Sequence, residues 1–150
     1  MGLDMYLSAK RYVSTFRKSD EALRGELDKL TEMTGGLEIQ EVSCEAMYWR
    51  KANAIHDWFV KNVQEGVDNC GSYYVSKEKL KELVELCKEV MANKGRAVEL
   101  LPTASGFFFG STDFDDYYFE DVQNTITRLE SLLGNPEIAD NFEFYYQSSW

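Results

Sequence analysis

Tyr48-Trp49-Arg50-Lys51-Ala52-Asn53-Ala54-Ile55-His56-Asp57-Trp58-Phe59 holds two of the three tryptophans, the only histidine and an adjacent pair of cations. At about 100° per residue, Tyr48, Ala52, Ile55, Phe59 and Val63 fall on one stripe, the signature of an amphipathic helix with one face on a core. Trp49, Asn53, His56 and Val60 form a second stripe at its edge. The reading is a helix from about Glu45 to about Val63. It must be covered by something apolar, and the flanking sequence supplies strands.

Upstream, Leu3, Met5, Leu7 and Ala9 alternate with Asp4, Tyr6, Ser8 and Lys10, the period-two pattern of a half-buried strand. A helix capped by Ser19 or Asp20 follows, with apolar positions Ala22, Leu23, Leu27, Leu30 and Met33, and Gly35-Gly36 ends it. Residues 37–44 read as a second strand. Downstream, a turn at 66–71 leads to a short strand at 73–75. Ser76 then caps a helix carrying Leu80, Leu83, Val84, Cys87, Val90 and Met91, closed by Asn93-Lys94-Gly95. Gly106-Phe107-Phe108-Phe109-Gly110 reads as a strand buried on both faces. Ser111, Thr112 or Asp113 caps a last helix striped by Phe119, Val122, Ile126, Leu129 and Leu133, stopped by Gly134 and Pro136. Phe142, Phe144 and Tyr146 form an edge strand in the tail. The sum is a single α+β domain at 1–150, a small antiparallel or mixed sheet of four to five strands covered by about four helices.

The formal charge is −10, and it is uneven: from Asp113 onward there are nine acids against one base, Arg128. A nucleic-acid backbone is held by Lys and Arg that displace counterions, so direct nucleic-acid binding is not expected. A carboxylate-rich surface can instead compete for a basic groove. Asp113, Asp115, Asp116, Glu120 and Asp121 are the candidates for such an acidic interaction surface. Cys44, Cys70 and Cys87 are odd in number and make no C-x-x-C pair, which argues against a zinc site or a disulfide framework. Neither a signal-like leader nor an apolar run of membrane-spanning length is read, and Tyr6 stands where a myristoylation pattern needs Ser or Thr. A cytoplasmic location is the expectation.

His56 is the natural general acid or base, but Asp57 points about 100° away around a helix and cannot orient its ring. No catalytic set, metal set or cofactor motif is assigned. An expected ligand pocket comprises Trp49, Asn53 and His56, with Arg50 clamping an anion bidentately, and with Tyr73, Tyr74 or Phe108 stacking on a base. The glycine-flanked junction at 106–116 lacks the lysine of a phosphate loop.

Met1-Gly2-Leu3-Asp4-Met5-Tyr6-Leu7, the run at 48–60, the segment 101–112 with its triple Phe, and Ser148-Ser149-Trp150 together resemble an uncharacterised family of small proteins encoded by phages and prophages. The resemblance carries no activity. It implies an accessory role in the host cytoplasm, with counter-defence as the leading case. Three functions are weighed on that basis: a non-catalytic binder of a nucleotide-like signal or small anionic ligand; an acidic inhibitor that mimics nucleic acid toward a host defence enzyme; and a hydrolase or transferase using His56. The expected partner is accordingly a nucleotide-like molecule or a host protein, with self-association also open.

Overall fold

The structure, a computed structural model, describes residues 2–150. Strand β1 (Asp4–Tyr12) sits inside a four-stranded antiparallel sheet of order β2-β1-β4-β3, with β2 Glu41–Arg50, β3 Tyr73–Val75 and β4 Glu143–Ser149. The alternation in β1 places Met5, Leu7 and Ala9 on one face, all buried. The registers add Trp49 and Met47 from β2 and Phe144, Tyr146 and Ser148 from β4 to the same face. A bulge between Leu7 and Ser8 inserts Ala46 as an extra residue, so Ala46 and Met47 are consecutive and both buried. Helices α2 (Asn53–Asn62), α3 (Lys77–Ala92) and α5 (Asp116–Leu133) bring Ile55, Phe59, Leu80, Leu83, Val122 and Leu129 to this core. Each large side chain so buried contributes about 1.5–3 kcal/mol. The α+β class and the antiparallel sheet agree with the sequence pattern.

The caps of α3 and α5 are local. Ser76 Oγ accepts from the Lys79 amide at 3.2 Å, and Asp115, not one of residues 111–113, caps α5 by accepting from the Tyr118 amide at 3.0 Å. Buried Tyr118, Thr125 and Leu132 take the place expected of Phe119 and Leu133, which are only half-buried. Short helices α4 (Ala97–Leu100) and α6 (Pro136–Ala139) join the longer elements.

Three expectations need correction. Residues 45–50 are strand, not helix: Tyr48, Trp49 and Arg50 pair with Tyr6, Met5 and Asp4, and the helix starts only at Asn53 after Lys51 turns the chain at φ 59°. The five ladder partners available on β1 outweigh the weak helix propensity of that stretch. Residues 106–110 form a turn. Phe107 is 95% exposed, and among the described residues the backbone tie toward the sheet is the Leu3 amide, just before β1, donating to the Phe108 carbonyl at 3.0 Å. Finally β4 is interior, because β3 adds outside it.

Helix α1 (Glu21–Asp28) continues in turns to Gly36 and contains no buried residue, although its apolar positions predict a core-facing stripe reaching Met33. The helix-bearing face of the sheet is already covered by α2, α3 and α5, and residues 14–40 leave from the far end of β1. This arm is held by one buried residue, Asp20, whose carboxylate accepts from Arg11 Nη2 at 2.7 Å and from the Ser14 amide at 3.0 Å. Those two donors hold its carboxyl below the usual range. Arg24 Nη2 donates to the Val13 carbonyl at 2.9 Å.

Candidate functional site

Where β2 ends, the chain turns into α2 and meets the start of α5 across a cleft of about 310 Å³. That volume lies at the lower end of small-ligand sites. One side carries Arg50, Lys51 and the first turn of α2; the other carries Asp113, Asp115, Tyr117, Glu120 and Asp121, with Thr103 and Ser111 also in the lining. The left-handed turn at Lys51 is locked by its amide donating to the Leu3 carbonyl at 2.7 Å. Gly110, at φ 83°, faces it, and a Cβ there would approach Lys51 Cβ to 3.1 Å. The glycine is therefore required by both conformation and space.

Asn53 fastens this region. Its Nδ2 donates to the carbonyls of Phe109 at 3.0 Å and Ser111 at 2.8 Å, while its Oδ1 accepts from the Ala104 amide at 3.0 Å. One buried carboxamide thus pins an irregular segment that makes no strand or helix of its own.

The charges around the cleft are unbalanced. Arg50 lies 3.9 Å from Asp4, and among the described residues none of Asp113, Asp115, Glu120 and Asp121 is in an ion pair. Burial, followed by the nearby charges of Glu120 and Asp115, pushes the Asp121 carboxyl up from 3.8 to about 6. The sign follows from proton binding: between those values the folded protein holds a proton that the unfolded chain has released, so this residue costs stability progressively as pH rises toward 6 and fully above it. Asp121→Asn is therefore expected to stabilise the protein at pH 7.5 by about 1 kcal/mol, allowing for solvent screening of a partly exposed group. The gain should vanish near pH 4, as read by urea denaturation at the two pH values. Equal gains at both would remove the charge explanation.

The structure distributes the other expected site residues elsewhere. Trp49 is buried on β2, its indole N–H donating to Thr125 Oγ1 at 2.8 Å. His56 is 1% exposed, with Nε2 3.0 Å from Asp68 Oδ2 and Nδ1 2.7 Å from the Tyr146 hydroxyl. A carboxylate only accepts, so Nε2 carries the proton and Nδ1 accepts from Tyr146. Burial and the Asp68 charge raise the Tyr146 hydroxyl well above its ordinary value, keeping it protonated. Trp150 Nε1 donates to the second Asp68 oxygen at 3.1 Å. The expectation that Trp49, Asn53 and His56 open together into one pocket is not met: Trp49 lies on β2, Asn53 and His56 lie on α2, all three are buried, and all three spend their polar groups on protein partners. Only Asn53 reaches the cleft lining.

Tyr73 donates to Asn69 Oδ1 at 2.9 Å. Tyr74 is exposed on the open sheet face, 5.8 Å from the Tyr145 ring. Phe108 packs on Phe107. None of these three lines the cleft. Asp116 is exposed in the first turn of α5, outside the lining. Among the described residues no three His, Cys, Asp or Glu side chains converge into a metal-holding group, and no helix is long and apolar enough to cross a membrane.

Sequence reasoning misses Lys51, Thr103, Ser111 and Tyr117 in the cleft, and Asp68 and Tyr146 as partners of His56. Only Lys51 carried a signal, its place beside Arg50; twelve and ninety residues separate His56 from its partners, and no spacing rule spans that. The chain matches no protein-family profile, no curated protein and no solved structure, so the reading of the site rests on its own geometry.

Proposed function

We propose that this protein is a non-catalytic binding protein that takes the basic side chains of a protein partner into the cleft between α2 and α5. The observation that carries this reading is the group of four carboxylates, Asp113, Asp115, Glu120 and Asp121, lining one cavity with no ion-pair partner among the described residues. Like charges held together raise one another's energy, and the charges of Glu120 and Asp115 add to burial, the larger cause, in raising the Asp121 carboxyl. A cation relieves that cost, so binding energy is available there to lysine or arginine. Tyr117, 77% exposed beside the carboxylates, adds a face for cation–π contact. For a phage-encoded protein the corresponding role is counter-defence, exercised by occupying a basic surface of a host enzyme.

A second reading, capture of a nucleotide-like anion, draws on Arg50, Lys51 and the first turn of α2, which has no side-chain cap. The opposing carboxylates disfavour a polyphosphate in the same space. The hydrolase reading has less support, because both ring nitrogens of His56 are already engaged.

Thermal shift separates the first two. Spermidine and oligolysine are expected to raise Tm at low salt, with the rise lost near 0.5 M salt and in Asp113→Asn/Glu120→Gln; ligand at about 100 times its Kd gives about 2.7 kcal/mol. Stabilisation by AMP or a cyclic dinucleotide and none by the amines would reverse the assignment.

A further inference from the structure

The arm at 14–40 is the least packed part of the molecule, and the tip of the short loop at its root, closed by the Ser14–Asp20 hydrogen bond, is chemically the inverse of the cleft. Phe16 is 95% exposed, and Arg17 and Lys18 beside it are exposed as well. Residues 10–24 contain five bases, Lys10, Arg11, Arg17, Lys18 and Arg24, against two acids. One of those acids, Asp20, is consumed by Arg11. In a chain of net charge −10 this is a local reversal of sign. Alpha helix α1 spans eight residues and buries none of them, and a helix of that length has little stability of its own in water. The contacts of Asp20 and Arg24, and the Val13 amide donating to the Gln40 carbonyl at 2.9 Å, hold it to the body.

We infer that the cationic partner of the cleft is the Phe16-Arg17-Lys18 tip of a second copy of this chain. The inference rests on the reading of the cleft given above and names its occupant. Charge complementarity selects the pair: two exposed cations on the tip meet a lining in which four carboxylates, none in an ion pair among the described residues, outnumber Arg50 and Lys51. Phe16 meets Tyr117, and such an aromatic flanked by arginine is the composition of an interface anchor.

Geometry makes the contact intermolecular. The arm leaves β1 at Tyr12, whereas the cleft begins where Arg50 pairs with Asp4 at the opposite end of the same two strands. Eight residues of strand separate these ends by about 27 Å, and Arg11–Asp20 anchors the arm at its own end. A tip on one end and a receptor on the other give a heterologous, head-to-tail contact, which propagates to rings or chains rather than stopping at a two-fold dimer. Self-association then occupies the cleft and lowers its availability to other basic partners as concentration rises.

Sedimentation velocity on the full chain, from about 5 to about 200 µM, reads this directly. The weight-average sedimentation coefficient is expected to rise with concentration at about 50 mM salt, with apparent affinity falling at least tenfold by about 500 mM. An arm variant, Phe16→Ser/Arg17→Glu/Lys18→Glu, and a cleft variant, Asp113→Asn/Glu120→Gln/Asp121→Asn, should each be monomeric alone. Their equimolar mixture should form a dimer and nothing larger, since it offers one working tip and one working cleft. Both variants change surface groups, and circular dichroism checks that each is folded. Undiminished association of either variant alone, or no dimer on mixing, overturns the inference. If a Tyr6→Ser/Tyr145→Ser variant on the open sheet face is the one that dissociates, the interface is that face and the inference also fails. A wild-type chain monomeric throughout that still binds oligolysine sinks this inference and leaves the cleft reading standing; no binding of oligolysine sinks both.

Discussion

His56→Ala is expected to lower stability by about 3–5 kcal/mol, from the cavity left by a fully buried ring and from the Tyr146 hydroxyl left without its partner. The imidazole is the link between β4 and the turn after α2, through Tyr146 at 2.7 Å and Asp68 at 3.0 Å. Its removal strands the Tyr146 hydroxyl in the core and frees Asp68 from everything but Trp150. At about 2–4 °C per kcal/mol for a chain of this size, the melting temperature should fall by roughly 6–20 °C. Tyr146→Phe is a milder companion. It keeps the ring stacked on Phe59, at 3.9 Å between centroids and 6° between planes, and forfeits only the hydroxyl, for about 1–2 kcal/mol. The double variant should cost less than the sum, because both changes remove the same bond. A neutral His56→Ala accompanied by loss of a chemical activity would mark the histidine as catalytic and retire the structural account.

Asn53→Ala is expected to cost about 3 kcal/mol, from three hydrogen bonds at about 1 kcal/mol each and the two carbonyls and one amide left without a partner. The readout that distinguishes it from His56→Ala is local. Amide exchange should accelerate across 103–113 while the sheet remains protected, since the carboxamide holds that segment at Ala104, Phe109 and Ser111. Because the same segment lines the cleft, oligolysine binding should weaken together with it. Asn53→Asp keeps the acceptor for Ala104 but turns a carboxylate onto two carbonyls, and is expected to behave like the alanine variant. Exchange unchanged across 103–113 would mean that the segment is held by other contacts.

Both residues were singled out in the sequence for a pocket, and both matter for a different reason. The pattern marks them as unusual polar groups beside an apolar stripe, of which Ala52, Ile55 and Phe59 are in the core while Tyr48 is exposed and Val63 half-buried. It did not reveal whether their polar atoms faced solvent or protein. That choice depends on what the fold brings alongside, and buried polar groups are nearly always satisfied by whatever arrives. The acidic residues fared differently. Their density from 113 onward was plain in the composition, but their gathering around one cavity follows from the start of α5 lying against the turn out of β2.

What the sequence alone determined was everything written in local period or punctuation. It includes the alternation that makes β1 a half-buried strand, the Ser76 cap and apolar spacing of α3, and the stop of α5 at Gly134 with a strand after it. These depend on contacts within a few residues, where side-chain direction is set by backbone geometry. Tertiary structure alone decided that residues 45–50 are strand, that β4 is interior, and that α1 stands off the core. Each of those outcomes turns on pairing or occupancy by segments distant in the chain: β1 supplies the ladder for β2, β3 covers the edge of β4, and three other helices fill the face that α1 would have taken. A residue's neighbours in sequence fix its periodicity, whereas competition for a sheet edge or face is settled only when the whole chain is packed.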